Sequence, residues 1–171
     1  MIRKATAEDI PAAMGLFTAA KGIMRSDGNM TQWEDGYPDE KIVRSDIIRG
    51  GAHIVEREGK PVGYFALLPS PEPTYSSIDG KWIDDTSPYF VIHRVASSPQ
   101  SHGIFKEIIE YALKVSSNLR IDTHRDNRIM RHVIEKAGFT YCGVIRLEDG
   151  SERLAFQNQL THRKWIFILI I

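Results

Sequence analysis

A chain of 171 residues with 42% hydrophobic and 26% charged residues has the size and composition of one folded globular domain, which excludes a disordered or fibrous protein. The 22 Lys and Arg residues balance the 22 Asp and Glu residues, so no net charge favours nucleic acid or an anionic membrane as a partner. The single cysteine, Cys142, excludes an intramolecular disulfide and a zinc site with several thiolates, and it is consistent with a cytoplasmic location.

The N-terminal segment predicts a short strand followed by two helices. Residues 1–5 form the strand, and Thr6 with Asp9 three residues later is a variant of the capping box that begins a helix. Apolar side chains recur at helical spacing and predict that this helix lies on a sheet: Ile10, Ala13, Met14 and Phe17. A second helix is expected from about Asp39 to the glycine pair at 50–51.

The middle of the chain predicts a hairpin, a loop and a further strand. Residues 52–56 and 61–68 are rich in strand-forming side chains and are joined by four residues that include a glycine, which is typical of an antiparallel hairpin. Three prolines within residues 69–73 predict an irregular surface loop. Residues 75–83 are expected to hold a short extra strand, and residues 89–97 form the next strong strand.

The remaining elements alternate between helix and strand. A helix is expected over residues 101–116, and its predicted buried stripe consists of Ile104, Ile108, Tyr111, Ala112 and Val115. Residues 119–123 predict a strand, residues 127–137 a helix, and residues 139–147 with 152–157 a second hairpin. The order of elements predicts an α/β domain with a mixed, mostly antiparallel central sheet and helices on both faces.

We assign residues 1–157 to this domain and residues 158–171 to an apolar C-terminal tail. The last seven residues, 165–171, are far fewer than the ~20 that cross a bilayer, so no membrane is expected as a partner. An exposed tail of this composition promotes aggregation, so we expect it to pair with a sheet edge of its own chain or of a second copy. The second arrangement would be a homodimer.

The loop before the helix at 101–116 has the properties of an anion site. A helix N-terminus presents backbone N–H groups without partners together with a partial positive charge. Gly103 allows the backbone to approach a ligand closely. A glycine before a helix is common, so this feature alone does not identify the ligand.

The spacing within the loop is more informative. Gln100 follows a strand, Gly103 comes three residues later, and Phe105 comes two residues after that. This segment resembles the pyrophosphate loop of the GNAT family of N-acetyltransferases, in which Gly or Ala stands where this chain has Phe105. The segment from Asn127 to Gly138 and Phe139 resembles the family helix that closes with a glycine and an aromatic residue. The initial strand and helix and Gly63 fit as well, so the resemblance covers residues 1–157.

The resemblance implies acetyl-coenzyme A as the co-substrate, no metal, and transfer of an acetyl group to a primary amine by direct attack. It places the pantetheine arm between two strands that splay apart, the one ending near Ser97 and the one at 119–123. A backbone N–H around Val95 or Ala96 would polarise the thioester carbonyl. The residues expected to bind the cofactor are Val95, Ala96, Ser97, Gln100, Ser101, His102, Gly103, Ile104, Phe105 and Asn127.

The acid and base are less well defined. A tyrosine that protonates the leaving thiolate often stands five residues before the last aromatic of the family helix, and Ile134 occupies that place here. Solvent, Tyr141 and Cys142 are the remaining donors. An amine with a pKa of about 10 must lose a proton before it attacks, and the candidate bases are His93, His124 and Asp122. Each of these also has a structural explanation, for example Asp122 as a partner of Arg125.

The acceptor amine remains open between a small molecule and a peptide. Trp33, Tyr37 and Trp82 fall in loops, where large aromatic side chains either line an acceptor pocket or anchor the loop. The alternative function is a non-catalytic acyl-CoA-binding sensor or interaction module with the GNAT fold, for which Phe105 and Ile134 would be signs of lost chemistry. Nucleic-acid binding is disfavoured because no base-reading motif is found.

Overall fold

The computed structural model describes residues 1–34 and 36–159. Most of the predicted apolar tail, residues 160–171, lies outside the described residues, so its pairing and the homodimer stay predictions. The elements in chain order are β1 Ile2–Lys4, α1 Ile10–Ser26, α2 Glu40–Ile48, β2 Ala52–Arg57, β3 Lys60–Pro69, β4 Asp79–Gly80, β5 Phe90–Ser97, α3 Ile104–Val115, β6 Asn118–Thr123, α4 Arg128–Lys136, β7 Thr140–Arg146 and β8 Glu152–Gln159.

The described strands form one sheet of eight strands in the order β1-β2-β3-β5-β6-β8-β7-β4. The neighbours β5 and β6 run parallel, and the other neighbouring pairs in this order are antiparallel. The predicted mixed, mostly antiparallel sheet is therefore confirmed, including both hairpins. The last strand continues to Gln159, two residues beyond its predicted end.

The ladder between β5 and β6 ends early. It pairs Phe90 with Leu119 and ends where Ile92 pairs with Ile121, although β5 continues to Ser97. On its other side β5 stays paired with β3, across a bulge. Arg94 lies at this irregularity with a positive φ of 54°, which is unusual for a residue other than glycine. The strands thus separate beyond Ile92, and one edge of β5 faces an opening.

Helices cover both faces of the sheet, as predicted. On one face α3 and α4 bury a core with the sheet that includes Phe65, Ile92 and Ile108. On the other face α1 and α2 pack against the sheet through residues such as Phe17 and Val43. The start of α3 lies very close to β3, because a Cβ atom at Gly63 would stand 2.8 Å from Cγ2 of Ile104. Gly63 is therefore required by this close contact.

The predicted buried stripe of α3 is correct in part. Ile104, Ile108 and Ala112 are buried, but Val115 is 47% exposed, and Ile109 and Leu113 are buried instead. The periodicity identifies the apolar positions of a helix. Which of them are covered depends on how the helix lies on the sheet, and α3 is rotated towards Ile109 and Leu113.

Candidate active site

A cavity of about 1220 Å³ lies where β5 and β6 separate. Its walls come from the second half of β5, the end of β6, the starts of α3 and α4, and the end of α1 with the loop that follows it. The carboxyl ends of two parallel strands that diverge are the usual position of ligand sites in open α/β sheets. The gap between β5 and β6 therefore determines where this site lies.

The start of α3 forms one end of the cavity. Gly103 is the N-cap with a φ of 77°, which favours glycine, and no side chain caps the helix. Within the described ranges, the backbone N–H groups of residues 102–106 have no protein acceptor. Arg57 holds this loop against β2, because its Nη2 donates to the carbonyl of His102 at 2.7 Å and pairs with Glu107. The free N–H groups are thus held in place, and because such groups at a helix N-terminus are suited to anions, we call them the predicted anion site of α3.

The predicted cofactor residues of this loop mostly reach the cavity. Ser101, His102, Gly103, Ile104 and Phe105 line it. Phe105 is also partly buried against the core formed with α3 and α4, so its aromatic ring has a packing role. Gln100 does not line the cavity, and its Oε1 accepts a hydrogen bond from Ser98 Oγ at 2.7 Å.

The second half of β5 forms a wall of the cavity through Val95, Ala96 and Ser97. The bulge beside them is held by a buried ion pair. Nε and Nη2 of Arg94 donate to the two carboxylate oxygens of Asp46 at 2.8 and 2.6 Å, and Tyr64 donates its hydroxyl to the same carboxylate at 2.8 Å. Burial and the nearby Asp46 charge raise the pKa of Tyr64, so it remains a hydrogen-bond donor to Asp46. The ion pair therefore fixes the bulge to α2.

His93 lies between two carboxylates. Its Nε2 is 3.1 Å from Oε2 of Glu72, and its Nδ1 is 3.9 Å from Oδ2 of Asp122. Tyr75 donates its hydroxyl to the same oxygen of Asp122 at 2.7 Å. Burial alone would raise the pKa of Glu72, but the hydrogen bonds from His93 and Thr74 outweigh it and hold the pKa below its usual value. Glu72 is therefore an anion beside the imidazole.

His124 lines the same cavity but is engaged differently. Its Nδ1 accepts from the backbone N–H of Asp126 at 3.2 Å, so in the neutral ring Nε2 carries the hydrogen and faces Thr31 Oγ1 at 3.3 Å. Burial, followed by the charge of Arg153, lowers the pKa of His124. Both ring nitrogens of His124 thus have hydrogen-bond partners within the protein.

The sequence model of the Acetyltransferase (GNAT) family matches residues 20–139 of this chain. The chain belongs to this family. A GNAT acetyltransferase from Streptococcus agalactiae is 32% identical, with 94% of this chain and 95% of that chain covered and a TM-score of 0.85. The resemblance and the GNAT fold predicted from the sequence are confirmed.

More distant structures share the fold. A putative acetyltransferase from Staphylococcus aureus Mu50 is 22% identical, with 94% of this chain and 99% of that chain covered and a TM-score of 0.71. YncA from Salmonella typhimurium, a putative acetyltransferase with its cofactor acetyl-CoA, is 15% identical, with 95% and 94% covered and a TM-score of 0.57. A search of curated proteins finds no match.

Asn127, which takes the place of the GNAT asparagine, is held by other parts of the protein. Its Oδ1 accepts from the backbone N–H of Met130 and caps α4, and its Nδ2 donates to Oε1 of Gln32 at 2.9 Å. The residue lines the cavity, but both polar groups of its side chain already have partners. Asn127 therefore connects α4 to the segment that follows α1.

The three loop aromatics separate into two groups. Trp33 and Tyr37 line the cavity of this GNAT domain, and the Tyr37 hydroxyl accepts from Nη1 of Arg94 at 3.2 Å. Trp82 does not line it. Its ring is 5% exposed and lies 3.9 Å from the guanidinium of Arg120, which stacks on Tyr89 from its other side. Trp82 thus anchors the loop between β3 and β5.

The GNAT tyrosine position and its neighbours provide no acid at the cavity. Ile134 is fully buried in the core formed with α3 and α4. Tyr141 is exposed on β7, and Cys142 belongs to a separate buried cluster. None of the three lines the cavity.

Thr123 was not singled out from the sequence. It is the last residue of β6, it lines the cavity, and its buried hydroxyl has no hydrogen-bond partner in the part of the chain that the structure describes. Glu72 and Tyr75 were also missed, because they lie in the irregular loop after β3. The proline-rich composition of that loop predicts irregular backbone but not which strand it covers.

In the part of the chain that the structure describes, no three His, Cys, Asp or Glu side chains are grouped as a metal site. Across the same residues, no helix has the length and apolar character needed to cross a bilayer.

Proposed function

We propose that this protein transfers an acetyl group from acetyl-coenzyme A to a primary amine of a small molecule or peptide by direct attack. The supporting observation is that one cavity joins the uncapped N-terminus of α3 to the His93 cluster through the gap between β5 and β6. A domain of residues 1–157 and a cytoplasmic location are part of this proposal. The acetyl thioester would supply the activated carbonyl.

The described residues fit a coenzyme A molecule. The N–H groups at 102–106 lack acceptors and suit a pyrophosphate, and the charged groups of Arg57 and Glu107 keep them in place. Among the described strands, none pairs with the edge of β5 from Val95 to Ser97 on the β6 side, and this edge is proposed to receive a strand-like pantetheine arm. The side chain of Gln100 is hydrogen-bonded to Ser98, so in this proposal Gln100 contacts the cofactor through its backbone.

His93 is the base in this proposal. Its Nε2 hydrogen is directed to Glu72, which leaves Nδ1 as the acceptor, and Nδ1 faces Asp122 at 3.9 Å without a direct hydrogen bond. An ammonium group is attracted to the Asp122 carboxylate and loses its proton to Nδ1 of His93. Glu72 then stabilises the imidazolium, as the third member of a catalytic triad does. The neutral amine attacks the thioester.

The backbone of the β5 bulge has a second role. Val95 and Ala96 line the cavity, and their backbone N–H groups are proposed to stabilise the negative charge that develops on the carbonyl oxygen. Asp46 and Arg94 hold this backbone from the side of α2. Trp33 and Tyr37 are proposed to line the acceptor pocket.

Two measurements on the full chain test this function. Calorimetry with acetyl-CoA tests binding, and release of free coenzyme A in the presence of a panel of primary amines tests transfer. We expect binding, transfer to at least one amine, and loss of transfer without loss of binding in His93→Gln. Binding with no turnover across the panel would favour the non-catalytic sensor. Absence of acetyl-CoA binding would refute both functions.

A further inference from the structure

Hydroxyl and thiol groups in and near the cavity differ in availability. Tyr64 donates to Asp46 and Tyr75 donates to Asp122, so both phenols are occupied. The Thr31 hydroxyl is bonded to His124, and the Thr74 hydroxyl donates to Glu72. Ile134 removes the phenol that the GNAT helix often provides, and Cys142 lies in another cluster. Among the described residues, Tyr37 is the phenol that lines the cavity; its oxygen accepts from Arg94 and it is 41% exposed, so water competes for its hydrogen.

Among the described residues that line the cavity, Thr123 carries the hydroxyl that is buried. Thr123 is 1% exposed, and its Oγ1 has no hydrogen-bond partner among residues 1–34 and 36–159. A buried hydroxyl without a partner lowers stability, so such groups are rare and usually have a partner that the folded chain alone does not supply. The position of Thr123 at the end of β6 puts this hydroxyl beside the gap through which coenzyme A is proposed to reach.

The faces of β6 separate Thr123 from the proposed base. Leu119 and Ile121, which alternate with it along the strand, pack in the core formed with α3 and α4. Asp122 points to the opposite face, where it meets Tyr75 and His93. Thr123 thus lies on the side of the sheet that carries the anion site of α3, and the base lies on the other side.

We propose that the hydroxyl of Thr123 donates a hydrogen bond to the sulfur of coenzyme A as the thiolate leaves, in place of the missing tyrosine. This inference rests on the proposed function. The lone pair of the deprotonated amine forms the C–N bond, and the C–S bond breaks with its electron pair moving to sulfur. The remaining excess proton on the nitrogen goes to water, because His93 already holds the proton of the ammonium group. Thr123 keeps its proton and stabilises the anionic sulfur, which is protonated by solvent after release.

Two matched variants test the inference by binding rather than by turnover. Thr123→Val keeps the shape and removes the hydroxyl, whereas Thr123→Ser keeps the hydroxyl. Calorimetry gives the affinity for coenzyme A at a pH above the pKa of its thiol, where the ligand is a thiolate, and the affinity for desulfo-coenzyme A, which lacks the sulfur. A hydrogen bond to a charged group predicts that Thr123→Val binds the thiolate at least about tenfold more weakly. Thr123→Ser and all desulfo-coenzyme A affinities should stay close to the wild-type values.

The outcomes separate this inference from the proposed function. Failure of the unmodified chain to bind coenzyme A would refute the proposed function. Equal thiolate affinity in the unmodified chain and Thr123→Val, or an equal loss for both ligands, would overturn the role of Thr123. The melting temperature of ligand-free Thr123→Val should not fall, because an unsatisfied hydroxyl is replaced by a methyl group. If that variant does not fold, the pKa of the coenzyme A thiol can be measured while it is bound to the unmodified chain. A bound pKa no lower than that of free coenzyme A would also overturn the role of Thr123.

Discussion

Glu72 offers the sharpest test of the base. The proposed mechanism creates an imidazolium at His93 whose Nε2 hydrogen bonds to Glu72 at 3.1 Å, and both side chains are largely shielded from solvent. Glu72→Gln keeps the length of the side chain and an oxygen that can accept from Nε2, and it removes the charge. The substitution therefore weakens the stabilisation of the imidazolium without removing the group that orients the ring.

The size of the effect follows from this contact. A hydrogen bond with a charged partner contributes about 1.5–3 kcal/mol, more than a neutral one. Each ~1.4 kcal/mol of transition-state stabilisation changes the rate tenfold. Glu72→Gln should therefore reduce kcat/KM for the amine by about ten- to a hundredfold. The affinity for acetyl-CoA should not change, because Glu72 lies on the face of the sheet away from the start of α3.

The matched control is the carboxylate beside the other histidine. Asp126 lies 3.6 Å from Nδ1 of His124 and is largely exposed, so Asp126→Asn should change kcat/KM by no more than about threefold. Steady-state kinetics of both variants with one amine, and calorimetry with acetyl-CoA, give the comparison. A large loss in Asp126→Asn with little change in Glu72→Gln would identify His124 as the base and refute the assignment of His93.

Three further predictions concern stability. Burial, with a smaller effect of Lys4, lowers the pKa of His53 from 6.5 to about 4, so the stability that the neutral ring contributes is complete above about pH 6.5 and is lost as the pH falls towards 4. Between about pH 7 and pH 5, the free energy of unfolding in urea should fall by about 2 kcal/mol more in the wild type than in His53→Asn. Equal losses in the two proteins would contradict this prediction. Gly103→Ala should destabilise the protein by about 1 kcal/mol through the positive φ alone, since a Cβ at this position would contact no described atom within 4 Å. The same change at Gly15 inside α1 should stabilise the protein, because alanine favours a helix more than glycine does. A stabilised Gly103→Ala would contradict the left-handed N-cap. Asp46→Asn leaves Arg94 buried without its counterion and should lower the free energy of unfolding, measured by thermal unfolding, by about 3 kcal/mol. Glu40→Gln removes the acid of an exposed ion pair and should lower it by about 0.5 kcal/mol or less. Equal losses would show that the pair of Asp46 and Arg94 is solvated.

The sequence is sufficient to predict the elements and the glycine at the start of α3 because both depend on local patterns. The periodicity of α1, the glycine turn between β2 and β3, and Gly103 before α3 act through residues that are close in sequence. Glu72 reaches His93 across 21 positions and Tyr75 reaches Asp122 across 47. Such contacts depend on how the loop after β3 folds over the sheet, which no local pattern determines. Trp82 was misplaced among the cavity candidates for the same reason.

The alternation of side chains along β6 explains why a gap in this sheet suits acyl transfer. Asp122 and Thr123 are adjacent in sequence and point to opposite faces, so the strand presents a carboxylate to one side and a hydroxyl to the other. Under the proposed function, an amine and its base approach from one face and the sulfur departs on the other. Inserting one residue before Asp122 would exchange the two faces, because the register of a strand has a period of two. The early end of the ladder at Ile92 and Ile121 is then the essential feature, since a sheet closed by further β5–β6 pairs would separate the amine from the thioester.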